Sequence, residues 1–360
     1  MLDFTSALYL GLRHASGSLR PWAQLTSGVP AALATPPLAR TVAGKLAELI
    51  GTERATLARS TLHAFWDLFV ILAREDTAVY VDANTYPIAR WGLERAAGRG
   101  VPVRTFAHHD PADLWRGLTR DAGSRRRPLV VADGLCPGCG TLAPIRQYLE
   151  RAREFGGCLI LDDTQALGIV GRSPVAAAPY GWGGGGSLLR SGLVSTHVLL
   201  VSSLAKGFGV PMAMLGGSAT DIARFEAASE TRVHCSPPSF AELHAAERAL
   251  EVNRASGDAL RLRLARLVRR LRTGLKRLGV PLTRSLFPVQ SLAPSSAVDA
   301  ETLHQRLFRL GIRGLLHRPA CRPGATVSFL ITAHHTPAAI DRAVEAVAAA
   351  AETMVASDHR

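Results

Sequence analysis

The sequence predicts an α/β fold built on a mostly parallel, mixed sheet with helices on both faces. From about residue 42 onward, short apolar runs that end in polar residues alternate with longer stretches of helical character. Apolar runs of this kind are typical of parallel strands buried on both faces, and the helices between them supply the crossovers. With 360 residues, of which 47% are hydrophobic, the chain can form one large core or two moderate ones.

The N-terminal part of the chain differs from the rest. Residues 1–45 contain Gly28-Val-Pro and Thr35-Pro-Pro, which predict an irregular arm with short helical pieces.

The strands of the sheet are predicted at 78–82, 102–106, 128–133, 158–162 and 197–202. The helices between them are predicted at 88–99, 111–120 and 144–155.

The C-terminal part is predicted to be a smaller α+β unit. A long helix over 240–278 leads into strands near 285–288 and 325–331, and a helix over 337–355 closes the chain. We therefore expect an N-terminal arm (1–45), a large domain (46–255), and a segment (256–360) that contains the long connecting helix and a small C-terminal domain.

The basic residues are almost all arginines. The formal net charge is +13, and only three of the 42 basic residues are lysines, namely Lys45, Lys206 and Lys276. Arginine stays protonated in proteins, whereas lysine can lose its proton and form imines. Lys206 follows a buried apolar run, so it is a candidate for covalent chemistry.

Several classes of protein are not expected. No apolar run approaches the roughly 18 residues of a membrane span, the N-terminus lacks the basic region of a secretory signal, and five sparse cysteines predict no disulfide framework. We expect a cytoplasmic protein that binds neither membrane nor nucleic acid.

The arginine-rich helix over 261–277 is expected to bury its leucines and expose its arginines to solvent. A surface for nucleic acid, an acyl carrier or coenzyme A is the alternative interpretation of that helix.

Two segments contain the candidate chemistry. The strand over 158–162 ends at Asp162, and the strand that ends near Ser203 is followed by Lys206. In open α/β sheets, ligands bind at the carboxyl ends of the strands. An aspartate and a lysine there suit a pyridine cofactor, because the carboxylate keeps the ring nitrogen protonated while the lysine holds an aldehyde as a Schiff base.

Five motifs make the chain resemble the α-oxoamine synthase branch of the fold-type-I pyridoxal-phosphate (PLP) enzymes. This branch is grouped with class II aminotransferases and includes aminooxononanoate synthase and aminoketobutyrate ligase. The resemblance implies the fold-type-I transferase fold, PLP as cofactor and a homodimer. The motifs are Tyr9-Leu-Gly-Leu (like Y-L-G-L), 133–144 (like D-G-V-F-S-M-D-G-D-I-A-P), 162–171 (like D-D-x-H-x-x-G-x-x-G), 203–209 (like T-L-S-K-A-F-G) and 333–336 (like A-A-H-T).

The resemblance assigns roles around the cofactor ring. Lys206 would form the Schiff base and move the proton at the substrate α-carbon, and Asp162 would pair with the pyridinium nitrogen. Gln165 stands where the family has a histidine beside the phenolic oxygen, and its amide can donate that hydrogen bond. Tyr86 occupies the place of the ring-stacking histidine.

The resemblance also assigns a phosphate site. Ser203 replaces the family's phosphate-binding threonine and keeps the hydroxyl. Thr61 and Leu62 lie in the loop Ser60-Thr-Leu-His, at a predicted helix start where backbone N–H groups bind phosphate. Ser236 lies near the position from which a partner subunit reaches the phosphate in the family.

The substrate carboxylate site departs from the family. The family places an asparagine, a serine and an arginine where this chain has Leu8, Pro137 and Ser328. These replacements remove the bidentate clamp that an α-carboxylate requires. Arg318 or Arg322 could supply a displaced clamp, and solvated surface charge is the alternative for both.

Two further motifs, a C-x-x-C sequence and a run of glycines, are predicted to be structural rather than functional. Cys136-Pro-Gly-Cys139 has C-x-x-C spacing, but a zinc site needs a second pair or nearby histidines, and none is evident in the sequence. A loop that lines the pocket is therefore favoured over metal or redox use, and no metal ligands are predicted. The run 183–186 lacks the context of a nucleotide-binding loop and is predicted to be a flexible connection.

Together these features predict a PLP-dependent transferase. The main hypothesis is a C-acyltransferase that condenses an amine or amino acid with an acyl thioester, through a Lys206 Schiff base and a quinonoid. Acyl coenzyme A or an acyl carrier protein would deliver the acyl group. The alternatives are an aminotransferase with an unusual amino donor or acceptor, and a non-catalytic PLP-fold interaction protein.

Overall fold

The strands lie throughout the part of the chain that the structure describes. This computed structural model describes residues 1–283, 285–292 and 299–355. In chain order the strands are β1 (Leu2–Asp3), β2 (Arg54–Ala58), β3 (Thr77–Asp82), β4 (Val103–Phe106), β5 (Arg127–Asp133), β6 (Cys158–Asp162), β7 (Val198–Ser203), β8 (Ala213–Gly217), β9 (Val289–Ser291), β10 (Ile312–Arg313), β11 (Leu315–His317) and β12 (Thr326–Leu330).

Helices alternate with most of these strands. In chain order they are α1 (Pro37–Ile50), α2 (Thr61–Leu72), α3 (Pro87–Ala97), α4 (Pro111–Asp121), α5 (Ile145–Glu154), α6 (Ser187–Arg190), α7 (Ala219–Ala228), α8 (Glu230–His234), α9 (Phe240–Arg277), α10 (Ala300–Arg309) and α11 (Pro337–Val355). Within the described ranges, no helix combines the length and apolar character needed to cross a bilayer.

The main sheet confirms the predicted α/β class. Its seven strands have the order β2-β8-β7-β6-β5-β3-β4, and β8 runs antiparallel to the other six. Helices α1, α4, α5 and α9 bury apolar side chains against one face, and α2, α3 and α7 cover the other. Burial on both faces explains why the central strands are continuously apolar in sequence.

The N-terminal arm lies along the C-terminal part of the chain. Strand β1 pairs in parallel with β10, and the backbone N–H of Leu330 donates to the carbonyl of Phe4 at 2.8 Å. The N–H of Ala333 donates to the carbonyl of Tyr9, also at 2.8 Å. Because α1 begins at Pro37, the predicted boundary at 45/46 falls inside that helix.

The C-terminal part contains a small antiparallel sheet with the order β11-β12-β9. Its first strand is at Val289–Ser291, so the prediction of a strand near 285–288 is wrong. Pro288 has no N–H to contribute to a ladder, and pairing begins one residue later. The predicted boundary at 255/256 falls within α9, and the division into domains stays a prediction.

One arginine of α9 departs from the predicted pattern. Arg261 is only 1% exposed, whereas most arginines after it face solvent as predicted. Its guanidinium donates to the carbonyl of Gly168 and to Oδ1 of Asn253, both at 2.8 Å, and pairs with Asp258 at 2.6 Å. Asp258 and Asn253 in turn bind the backbone of Gly183. The run 183–186 is therefore packed against α9 rather than free.

We expect Arg261→Met to lower the free energy of unfolding by about 2–4 kcal/mol, because two buried acceptors lose their donor. Arg266→Met, at an exposed position of the same helix, should change it by no more than about 0.5 kcal/mol. Urea unfolding of both variants measures the difference. Equal effects would contradict a structural role for the buried guanidinium.

Candidate active site

A cavity of about 210 Å³ lies at the carboxyl ends of β5, β6 and β7. This is the edge of a parallel sheet where strand-end side chains and helix N-termini converge on a ligand. The start of α2 and the residues around the start of α3 complete its wall. The lining residues are Thr61, Tyr86, Ile88, Asp133, Leu135, Pro137, Asp162, Thr164, Gln165, Ser203 and Lys206.

Most of the residues predicted for the site meet in this cavity. Those that line it are Thr61, Tyr86, Pro137, Asp162, Gln165, Ser203 and Lys206. Those that do not line it are Leu8, Leu62, Ser236, Ser328 and Arg322. No role in the site was predicted for Thr164. None was predicted for Asp133 either, although Asp133 ends a predicted strand at the edge of the sheet where ligands are expected.

Lys206 shares the cavity with two buried carboxyl groups. Burial raises the pKa of Asp162, although hydrogen bonds from Thr164 act against this. Burial, and next the charge of Asp162, raise the pKa of Asp133 well above its ordinary value. Burial lowers the pKa of Lys206, and the two carboxylates only partly offset it. The amine of Lys206 therefore reaches its neutral, nucleophilic form more readily than an exposed lysine does.

Hydrogen bonds fix the two strand ends relative to each other. Oδ1 of Asp162 accepts from the backbone N–H of Thr164 at 3.0 Å, and the Thr164 hydroxyl accepts from the N–H of Ser203 at 3.0 Å. Beyond Lys206 the chain turns at Gly209, where φ is +68° and a Cβ would lie 2.4 Å from the carbonyl of Leu12. Only glycine fits this turn, which packs the lysine loop on the N-terminal arm.

Gln165 is oriented by a residue of the N-terminal arm. The hydroxyl of buried Tyr9 donates to Oε1 of Gln165 at 2.9 Å. Burial raises the pKa of Tyr9, so the hydroxyl keeps its proton and stays a donor. With Oε1 engaged, the amide N–H₂ of Gln165 is the group left to donate to an acceptor in the cavity.

One end of the cavity is suited to an anion. Helix α2 begins at Thr61, and its cap Ser60 accepts from the backbone N–H of His63. The N–H groups of Thr61 and Leu62 belong to the first turn, where they lack carbonyl partners within the helix. These groups and the hydroxyl of Ser203 can bind a phosphate. The side chain of Leu62 itself is 37% exposed, so only its backbone suits the predicted role.

Tyr86 forms another part of the wall. Its ring centroid lies 5.6 Å from Nζ of Lys206, and its backbone N–H donates to Oδ1 of Asp133 at 3.1 Å. The ring is about half exposed. A planar ligand joined to Lys206 would lie within reach of the aromatic face, as the predicted stacking requires.

The predicted carboxylate-binding positions offer little to an anion. The hydroxyl of Ser328 is buried and hydrogen-bonded to Ser291 and to Nε2 of His317, both at 2.7 Å. Of the two arginines, Arg318 is largely exposed and lies 3.7 Å from Glu301. By contrast, Nε and Nη2 of Arg322 are buried and have no hydrogen-bond partner in the described part of the chain. Arg322 is therefore the better candidate for a displaced clamp.

Asp163, directly behind the site, makes the stability of the fold depend on pH. It is fully buried, accepts from the backbone N–H and the hydroxyl of Ser187, and burial raises its pKa from 3.8 to about 6. A carboxyl of this kind stabilises the folded state fully below pH 3.8, and that contribution is lost as the pH rises through about 6.

Asp163→Asn should therefore gain about 2.5 kcal/mol of unfolding free energy relative to the unchanged chain between pH 4 and pH 7. The measurement is urea unfolding of both proteins across this range. Parallel curves of unfolding free energy against pH would contradict the raised pKa of Asp163.

The polar groups of the cavity fit pyridoxal phosphate. Lys206 supplies the amine for its aldehyde, Gln165 a donor for its phenolic oxygen, and the start of α2 with Ser203 an anion site. The buried carboxyl of Asp162 shares the cavity with a single cationic side chain, Lys206. A protonated ring nitrogen would supply a second positive charge and favour the ionised carboxylate.

Known proteins are similar to this chain over most of its length. The profile of the family described as aminotransferase class I and II matches residues 26–347. An 8-amino-7-oxononanoate synthase from Halorhodospira halophila is 30% identical over 313 residues, which cover 85% of this chain and 73% of that protein. The enzyme of the same name from Pseudescherichia vulneris is 28% identical, over 95% of this chain and 87% of its own length.

Solved structures show the same fold. A serine palmitoyltransferase from S. paucimobilis, solved with a bound PLP–myriocin aldimine, superposes with a TM-score of 0.84 at 20% identity, over 98% of this chain and 88% of that one. An 8-amino-7-oxononanoate synthase from Francisella tularensis has a TM-score of 0.74 at 17% identity, over 98% of both chains. The family match and the sequence identity show that this protein belongs to the class I and II aminotransferase family of PLP-dependent transferases.

Proposed function

We propose that this protein is a PLP-dependent C-acyltransferase that condenses an amine or amino acid with an acyl thioester. The observation that supports this most is the single cavity that Lys206 and Asp162 share at the ends of β6 and β7. The relatives named 8-amino-7-oxononanoate synthase and serine palmitoyltransferase favour acyl transfer over other reactions of PLP.

Each residue of the cavity has its own role in the proposed reaction. When bound, PLP supplies an electron sink that stabilises negative charge at the substrate α-carbon. Asp162 holds a proton on the ring nitrogen, and Gln165 donates to the phenolic oxygen. The amine of Lys206, whose pKa burial lowers, accepts the proton from the α-carbon and returns it. The ring of Tyr86, 5.6 Å from Nζ of Lys206, would stack against the bound cofactor.

The substrate is expected to differ from a simple α-amino acid. Leu8 and Pro137 are apolar, and the hydroxyl of Ser328 is already bonded to Ser291 and His317. Arg322 does not line the cavity, so it would have to turn toward it to bind an acidic group placed differently on the substrate. Its Nε and Nη2 are buried and have no hydrogen-bond partner among the residues that the structure describes.

We also propose a homodimer with sites at the subunit interface. Ser236 lies outside the cavity, in a loop where the carbonyl of Cys235 accepts from the N–H of Ala31 at 2.9 Å. A contribution of Ser236 to phosphate binding therefore requires the cavity of a second subunit. Equilibrium sedimentation of the holoenzyme tests this, and a monomer that keeps its PLP would contradict it.

The proposed activity is tested by thiol release. The holoenzyme is incubated with acetyl-, hexanoyl- or palmitoyl-coenzyme A and a panel of amines and amino acids, and free coenzyme A is measured. Amine-dependent release that is absent in Lys206→Ala supports the proposal. Conversion of the bound cofactor to its amine form by a donor, without thiol release, would show transamination instead. A protein that binds PLP but reacts with no member of the panel would favour a non-catalytic role.

A further inference from the structure

Three cysteines that are far apart in sequence meet beside the cavity. Cys136 and Cys139 lie in the loop that follows β5, and Cys321 lies between β11 and β12. Their three Sγ atoms are within 4.8 Å of one another, and all three are free thiols. Zinc bound by thiolates at its usual bond lengths holds the sulfurs about 3.8 Å apart, so small side-chain rotations would suffice.

Gly138 makes this approach possible. A Cβ at this position would lie 2.5 Å from Sγ of Cys321 and 3.1 Å from Cβ of Pro319. The backbone between the two cysteines of the C-x-x-C sequence is therefore in direct contact with the third cysteine. Any side chain at 138 would push the loop that carries Cys321 away from the other two thiols.

The imidazole of His108 is a fourth potential zinc ligand beside the three cysteines. Its Nε2 lies 3.6 Å from Sγ of Cys139. In a tetrahedral site, zinc–sulfur bonds of about 2.3 Å and zinc–nitrogen bonds of about 2.0–2.1 Å separate sulfur from nitrogen by about 3.6 Å. The observed separation is thus that of two neighbouring ligands on one zinc ion.

The other nitrogen of His108 is held by a carboxylate. Its Nδ1 lies 2.8 Å from Oδ1 of Asp82, which is 2% exposed and also accepts from the backbone N–H of His109. A carboxylate on the far nitrogen fixes the tautomer and ring orientation of metal-binding histidines. The adjacent His109 also has a ligand atom within 4.8 Å of those of His108 and Cys139, and its Nδ1 is bonded to the hydroxyl of Thr141 at 3.2 Å. Of the two histidines, His108 is the better candidate, because a buried carboxylate holds its far nitrogen.

We propose that Cys136, Cys139, Cys321 and His108 bind one zinc ion. Three thiolates and one imidazole form a closed tetrahedral set of the kind found in structural zinc sites. On binding, each thiol gives its proton to solvent, and His108 coordinates as a neutral imidazole. The sequence predicted no metal because the C-x-x-C pair has no partner nearby in the chain. The fold brings Cys321 and His108 to it.

The zinc ion would join a loop that lines the active-site cavity to a second loop that does not line it. One loop contains Pro137, which lines the cavity, and the other contains Arg322, the residue after Cys321. Fixing both loops would set the position of the Arg322 guanidinium relative to the cavity. The zinc site depends on the thiols and His108 alone, so it stands whether or not acyl transfer is the activity.

The test is the metal content of the holoenzyme. The protein is purified without a histidine tag, in the presence of a reductant and a weak chelator. Inductively coupled plasma mass spectrometry is then expected to find one zinc ion per chain. Cys321→Ser should lose the ion, and His108→Ala should weaken zinc binding about tenfold or more. Cys235→Ser is the matched control and should keep its zinc, because Cys235 lies outside the cluster.

A second measurement does not depend on the folding of variants. Cobalt exchanged into the unchanged protein should give the absorption of thiolate-to-cobalt charge transfer. Titration with an organomercurial should release one zinc per chain as the three thiols of the cluster react, whether or not Cys158 and Cys235 also react. Less than half an ion per chain after equilibration with zinc would overturn the proposal. So would a disulfide between Cys136 and Cys139 in protein purified with reductant.

Discussion

Lys206→Ala is expected to lower the turnover rate by about 10²–10⁴-fold, since the variant lacks the group that moves the proton at the substrate α-carbon. It should also lose the covalent link to the cofactor. Borohydride reduction of the unchanged holoenzyme should add the mass of the reduced cofactor to the peptide that contains Lys206, and the variant should show no such adduct.

The low lysine content provides a matched control. Lys276 is exposed in the last turn of α9, so Lys276→Ala removes an amine without touching the cavity. It should keep both the adduct and the activity. If borohydride marked Lys276 or Lys45, or if Lys206→Ala still turned over at the normal rate, the assignment of Lys206 would be wrong.

The central strands could be predicted because they are buried on both faces. Their continuous apolar runs place β3, β5, β6 and β7 within one residue of the observed ends. The edge strand β4 was also predicted within one residue, although three of its four residues are exposed. Strands β2 and β8 are also largely buried, but they were missed because of their composition. β2 begins with an exposed arginine, and β8 ends in two glycines, so neither is a long run of strand-forming side chains.

The contacts of the site could be predicted only in part. Strand-end position and motif spacing identified Lys206, Asp162 and Ser203, and these residues meet in one cavity. The hydrogen bond from Tyr9 to Gln165 joins residues 156 positions apart, and only the path of the N-terminal arm creates it. The approach of Cys321 to the C-x-x-C loop has the same origin. Tertiary contacts of this kind leave no local pattern in a single sequence.

Asp162→Asn is expected to lower the turnover rate by about 10²–10⁴-fold while leaving the borohydride adduct at Lys206 intact. The amide cannot hold a proton on the ring nitrogen by its charge, so negative charge at the α-carbon loses its stabilisation. The adduct needs only the amine and the aldehyde. A variant that keeps the covalent adduct but loses turnover shows that Asp162 acts in the reaction, because a purely structural defect would affect both.

Asp133→Asn is the matched variant, because Asp133 lines the same cavity from the adjacent strand. Burial and the charge of Asp162 raise the pKa of Asp133 well above its ordinary value, so its neutral form is favoured more than in an exposed aspartate. An amide resembles a neutral acid and can still accept from the N–H of Tyr86, so the rate should fall by about tenfold or less. A greater loss in Asp133→Asn than in Asp162→Asn would mean that Asp133 is the carboxylate that pairs with the ring. Measuring both variants over the same pH range decides between the two acids.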